Sequence, residues 1–293
     1  MMRFSEIGQQ LRAYRLESGL RAEEIAARLG VSRAALYRYE KGDVIKLDTI
    51  QRLAELLKIS PLSLLGIGIE YYGRPVGYIE RARQLEETAE QILQVQGPLS
   101  YLNTSNTFDV IVAETLEEVA LAAGQDRAVT RAMLEQIFGI QAARKQAYQQ
   151  RRPGIIAITP IESVLSFLRQ GVCGHLPLNE GRRKLCRDLA ATEIEAMADA
   201  MQAEPIGLQM GLLAQDHPSG AFRLIRARDR AHLVLNPFRA DVMPNGECNV
   251  AMVTASDEAL LVHQRAAEAC WRDALKGAAG AARLRGMLAE ARG

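Results

Sequence analysis

The sequence is poor in most of the features that announce a function. It has four cysteines, Cys173, Cys186, Cys248 and Cys270, spread irregularly over 293 residues, which excludes a disulfide framework and leaves reduced thiols as the default. No apolar run approaches the roughly 18 residues that a membrane span requires, and the opening MMRFSEIGQQ lacks the apolar stretch of a secretion signal. A cytoplasmic protein without membrane contact is expected. The balance of 36 basic against 35 acidic residues excludes attachment to nucleic acid by bulk charge, so any such contact must be local. The single tryptophan, Trp271, stands at helical core spacing with Leu260, Ala267 and Leu275 and reads as a packing anchor, not as a stacking platform.

What is present is ordinary globular composition, 48% hydrophobic and 24% charged, which rules out wholesale disorder, collagen-like and purely coiled-coil architectures. At about 100 to 200 residues per domain, the length allows roughly two. Up to Gly66 there are eleven basic side chains against eight acidic ones, and apolar residues recur at helical spacing in short blocks: Phe4, Ile7, Leu11 and Tyr14; Ile25 and Leu29; Leu36 and Tyr39; Ile50, Leu53, Leu56 and Leu57. Gly19, Gly30 and Gly42 follow three of these blocks, where a left-handed residue ends a helix. Residues 1–66 therefore read as an all-α unit of four or five short helices. GIGIEYYGRPVG, Gly66 to Gly77, breaks the periodicity and marks 67–77 as a linker, leaving 78–293 as a larger domain.

That larger domain mixes helix and sheet. Periodicity predicts a helix from about Tyr78 to Leu93, turns over QGPLSYLNTSNT, and more helix to about Arg152. GIIAITP follows as a strand that enters a helix, and then a long helix carries Leu185, Leu189, Ile194, Met197 and Met201 on one face. IGLQMGLL, AFRLIRA, AHLVLNPF and CNVAMVT read as strands, and the links AQDHPSG and RDR are short enough to make the first three antiparallel neighbours. The fold class is thus multi-domain: all-α, then α+β with an antiparallel sheet.

One segment carries chemistry. RAEEIAARLGVSRAALYRYEKG, from Arg21, reads as an amphipathic helix, a turn at Gly30 and Val31, Ser32 as N-cap, and a second helix with Leu36 and Tyr39 inward. Such a steep, short junction is a helix-turn-helix. The second helix turns Arg33, Ala34, Tyr37 and Arg38 to one outward face, with Lys41 just beyond. An arginine fork suits guanine edges and phosphates.

Phe4 to Leu65 resembles the Cro- and lambda-repressor-like (XRE-type) helix-turn-helix regulators of bacteria, on L-G-V-S, Leu36, Glu40, Gly42 and the run LDTIQRLAELL to ISPLSLL. The resemblance implies DNA contact by Ser32, Arg33, Ala34, Tyr37, Arg38 and Lys41, and an internal pair between Arg15 on the first helix and Glu40 closing the recognition helix. It departs at Ala22, where the family commonly has a phosphate-binding glutamine, and at Ala34 and Ala35, where longer polar readers are common. Base reading then falls to Arg33, Tyr37 and Arg38.

The larger domain shows no Ser/Lys peptidase dyad, no phosphate-loop G-x-x-x-x-G-K-[ST], no H-E-x-x-H and no cupin-like histidine cluster, since His175, His217, His232 and His263 are scattered. From about Ala200 it loosely resembles one half of a phospholipase-D-like fold, which implies a catalytically silent sensor because His232 is followed by Leu, Val and Leu instead of the catalytic motif. Arg226, Arg228 and Arg230 alternate along one strand and its turn, with Arg239 just beyond. Arg226, Arg228 and Arg239 are the candidates for holding a small anionic effector, set against a merely solvated strand face. Arg182, Arg183, Lys184 and Arg187 read as surface, and Cys173, His175 and Cys186 lack the spacing of a zinc site.

These features lead to a non-enzymatic, cofactor-free transcriptional regulator. It would be a homodimer on a double-stranded operator with inverted repeats, its larger domain dimerising and sensing an effector. An antitoxin-like interaction module and a DNA-tethered enzyme are the alternatives.

Overall fold

The computed structural model describes residues 4–214, 221–236 and 249–292. Short helices come first: α1 (Phe4–Ser18), α2 (Ala22–Leu29), α3 (Arg33–Glu40), α4 (Leu47–Leu57) and α5 (Pro61–Leu64). Gly19, Gly30 and Gly42 take positive φ angles of 70°, 71° and 104°, so the chain turns where the sequence places its left-handed residues. Then come β1 (Glu70–Tyr72), α6 (Pro75–Glu87), β2 (Gln91–Val95), α7 (Asn106–Ala122), α8 (Arg127–Arg151), β3 (Gly154–Pro160), α9 (Ile161–Gln170), α10 (Glu180–Ala203), β4 (Leu208–Leu213), β5 (Phe222–Arg226), β6 (Ala231–Leu235), β7 (Ala251–Thr254), α11 (Asp257–Asp273), β8 (Leu275–Lys276) and α12 (Gly277–Arg292).

Among the described residues the strands form one sheet in the order β1-β7-β6-β5-β2-β3-β4-β8. β2, β3 and β4 run parallel, and the remaining pairs are antiparallel. The sheet is mixed, where an antiparallel one is expected from the loop lengths. β5 and β6 are antiparallel neighbours, but β4 does not pair with β5, because α9 and α10 carry the chain from β3 over to a parallel position beside it. The helix expected to Leu93 ends at Glu87, and Gln91–Val95 becomes a central strand. Its side chains alternate between the two faces, Ile92 joining one hydrophobic core and Leu93 and Val95 the other. Burial on both faces outweighs helix propensity here.

β3 shows the same alternation, with Ile155 and Ala157 on one side and Ile158 on the other. The smaller core lies under α11, whose Ala267 and Cys270 are buried beside the partly buried Trp271. Trp271 packs so closely on β4 that a Cβ added to Gly211 would stand 3.0 Å from its ring. The larger core is continuous from Ile7 in α1 through Ile92 and Ile194 to Leu288 in α12.

That continuity runs through the segment read as a linker. Glu70–Tyr72 pairs with β7 at the sheet edge, and Pro75 opens α6, which lies against α1. Tyr14 of α1 stacks on Tyr72, with ring centroids 5.2 Å apart and 16° between planes. The Glu17 carboxylate accepts from the amides of Gly73 and Arg74 at 2.6 and 2.9 Å, which caps the start of α6. At the centre of this seam the buried Glu70 carboxylate accepts four hydrogen bonds. Arg81 donates two at 2.7 Å, Tyr72 one at 2.7 Å and Gln10 one at 3.0 Å. A carboxylate has about four acceptor sites, so each is filled.

Removing one member of a buried pair strands the other charge, at a cost of about 3 to 5 kcal/mol. Glu70→Ala is expected to lose that much in urea unfolding. A loss below about 1 kcal/mol, the value of an exposed pair, would show that the seam is not held by this carboxylate.

His232, on β6, borders the same seam. Burial, aided by the nearby Arg81, pushes its pKa down from 6.5 to about 4. The imidazole is therefore neutral in the folded chain, while the unfolded chain takes up a proton below pH 6.5. Stability is full above that value and declines as pH falls toward 4. His232→Gln should remove this component, so its melting temperature should drop less between pH 7 and pH 5 than that of the unaltered protein. Equal drops would dismiss the assignment.

Candidate nucleic-acid interface

α2 and α3 meet across Gly30, Val31 and Ser32. Ser32 Oγ accepts from the Ala35 amide at 3.1 Å and starts α3, since an N-cap oxygen fills one of the otherwise unpaired amides of the first turn. Leu36 is fully buried and Tyr39 packs against the core behind it. From behind, α1 crosses the end of α3 at Gly8, where an added Cβ would stand 2.4 Å from the Tyr39 carbonyl oxygen. Only a glycine permits that approach.

Two turns of α1 further on, Arg15 forks onto Glu40, Nε to Oε1 at 2.5 Å and the second nitrogen to Oε2 at 3.0 Å. Both side chains are largely withdrawn from solvent. The pair expected between the first helix and the end of the recognition helix is therefore present, and it fixes the rotation of α3 about its own axis.

With that side held, Ser32, Arg33, Ala34, Arg38 and Lys41 are exposed, and Tyr37 is 36% exposed. They do not stand free. Arg33 pairs with Glu23 of α2 at 2.9 Å and donates to the Tyr37 hydroxyl at 3.4 Å. Arg38 lies 3.7 Å from Asp43. Glu23 and Asp43 were not legible as neighbours of this face, because one sits a helix away and the other in the following loop. The face also continues into Val44 and Leu47, which are 70% and 75% exposed, too exposed to serve the core of the bundle.

In the larger domain, Arg226 and Arg228 do come together. With Arg230 and with Leu260 and Leu261 of α11 they line an open groove of 520 Å³. Arg226 donates to Gln264 at 3.0 Å, and Arg230 reaches Glu6 of α1 at 2.8 Å. Arg239, Cys248 and His217 lie outside the described residues. Arg182 is held by Glu118 and Glu114 of α7 at 2.8 and 3.3 Å, and Arg187 pairs within α10 with Glu180 at 3.3 Å. Among the described residues no three His, Cys, Asp or Glu side chains are grouped to hold a metal ion, and no helix is long and apolar enough to cross a membrane.

Residues 6–64 match the family model described as a helix-turn-helix domain. This stretch of the chain is a helix-turn-helix domain. No curated protein matches the chain. The matched span takes in all of α2, α3, α4 and α5 and most of α1, and so includes the Arg15–Glu40 pair together with the exposed face of α3.

Glu40→Ala leaves Arg15 without its carboxylate in a partly buried place, whereas Glu23→Ala removes an exposed partner. The first should therefore lower the melting temperature clearly more than the second. Equal melting temperatures would mean that the fork does not hold α3.

Proposed function

We propose that the protein is a sequence-specific, DNA-binding transcriptional regulator that acts as a homodimer. The observation that carries this reading is the recognition helix itself: capped by Ser32, held from behind by Arg15 and Glu40, and presenting Arg33, Ala34, Tyr37, Arg38 and Lys41 on one open face. Arginine donates in a fork to the O6 and N7 of guanine or to phosphate, the alanine methyls suit a thymine methyl, and Lys41 serves the backbone. The XRE-type, lambda-repressor-like relationship belongs to this proposal, on the arrangement of five helices and the internal pair.

One such helix makes few base contacts, so useful affinity calls for two linked half-sites about 34 Å apart and an operator that is an inverted repeat. The larger domain supplies the dimer contact and senses a small effector. Arg226 and Arg228 are the residues that would orient an anionic one, in the groove they share with Arg230. In this reading the protein performs no catalysis and works in the cytoplasm. An effector would alter DNA affinity only by its different affinity for the two arrangements of the dimer.

Selection of bound duplexes from a random library by the full chain is expected to yield an inverted repeat. On that sequence Arg38→Ala should lose about 1 to 3 kcal/mol of binding if it reads a base. A single unrepeated half-site would sink the dimeric reading. Unchanged affinity and salt dependence of Arg38→Ala would sink the assignment of the recognition face.

A further inference from the structure

A second, smaller cavity lies away from the arginine groove. It occupies 120 Å³ between the sheet and α10, beside the turn by which the chain leaves β2. Ser100, Asn103 and Glu193 line its polar side, and Met197, Leu208 and Met210 its apolar side. We propose that this cavity binds a small primary ammonium ion, the protonated form of a short alkylamine, with its charged end on Glu193.

The acceptors decide the ligand. Glu193 is only 4% exposed, yet among the described residues no cation stands within 4.0 Å of its carboxylate. Among the described residues its donors come from Ser105. The hydroxyl bonds to Oε1, and the backbone amide is shared between the two oxygens at 3.2 Å each. Oε2 thus receives only a share of one N–H, where a carboxylate oxygen has room for about two donors. Lys145 reaches the carbonyl of the same Ser105 at 2.9 Å, but its charge is engaged by Asp109 at 2.7 Å.

Among the described residues two further polar atoms beside the cavity have no partner, Ser100 Oγ and Asn103 Oδ1, and Ser100 is 8% exposed. The Asn103 amide nitrogen donates to the Tyr148 hydroxyl at 3.1 Å, which commits its oxygen to the role of acceptor. A buried carboxylate without a counter-charge and unpaired oxygens are each unfavourable alone. An ammonium group answers both, since it brings three N–H donors and a positive charge. An anion would meet acceptors and a like charge. The methionine and leucine side chains then receive the alkyl chain. A cavity of about 150 Å³ admits a benzene-sized molecule, so 120 Å³ fits about five non-hydrogen atoms.

The amine site is independent of the regulatory reading. The test is calorimetric titration of the full chain with n-butylammonium chloride, butan-1-ol and sodium butyrate at matched ionic strength. Butylammonium should bind saturably, at least about tenfold tighter than the alcohol, as expected for a charge-assisted hydrogen bond, and butyrate should not bind. Glu193→Gln should weaken the amine by a similar factor. Ala200→Leu, which fills the cavity from α10 and keeps the carboxylate, should abolish binding. Should Glu193→Gln fail to fold, the Ala200→Leu variant and the contrast of amine with alcohol on the unaltered chain decide. The proposal is overturned by equal affinity for amine and alcohol, by no saturable amine binding, by amine binding unchanged in Ala200→Leu, or by a folded Glu193→Gln that binds the amine as well as the parent.

Discussion

Four donors converge on the Glu70 carboxylate, and they come from α1, β1 and α6. A buried charge tolerates no missing partner, so these three elements have one mutual arrangement that satisfies it. The Tyr14–Tyr72 stack and the Glu17 cap on α6 lie along the same seam. Through α1 the constraint passes to α3, because α1 also carries Gly8, which admits the end of α3, and Arg15, which clasps Glu40. The orientation of α3 toward solvent is thus anchored, contact by contact, in the edge of the sheet.

A seam of this kind bears on how an effector would act in the proposed regulator. The helix-turn-helix unit does not hang from a glycine tether; residues 70–72 are paired in the sheet and Gly77 is pressed against Glu17. Rotation of the bundle against the sheet would have to open a filled carboxylate site and separate a pair of stacked rings. In the proposed dimer, change would be cheaper at the contact between the two copies than within this seam, so an effector would act on the distance between the two α3 helices. For the same reason a fragment ending at Gly66 would take Tyr72 away from Tyr14, Glu70 away from Gln10, and the Gly73 and Arg74 amides away from Glu17.

Much of the helix-turn-helix domain was legible because its determinants are local: apolar spacing, a serine cap, glycines at positive φ. The Arg15–Glu40 pair was reached only through resemblance, since its partners lie on different helices, 25 residues apart. The sheet was harder. β2 reads as the tail of a helix because QILQV carries no period that separates a strand buried on both faces from a helical segment. β1 is hidden among glycines, and the parallel placement of β4 depends on the path of α9 and α10, which no loop length encodes. Glu193 did leave a signal: it falls four residues after Leu189 and four before Met197, an acid on the apolar stripe of α10. Its lack of a counter-ion, however, is visible only once Ser105 and Lys145 are in place around it.

Tyr37 stands in a particular position on the exposed face of α3. Its ring has the Arg33 guanidinium 5.4 Å from the centroid and that of Arg15 at 6.0 Å, and its hydroxyl accepts from Arg33. Ordering a free side chain at an interface costs about 0.5 to 1.5 kcal/mol. In the proposed complex Tyr37 would have met part of that cost beforehand, because two cations and a hydrogen bond already hold its ring. Arg15, itself largely withdrawn from solvent, therefore acts twice: it sets the angle of α3 through Glu40, and it braces from behind the ring of Tyr37 that α3 exposes.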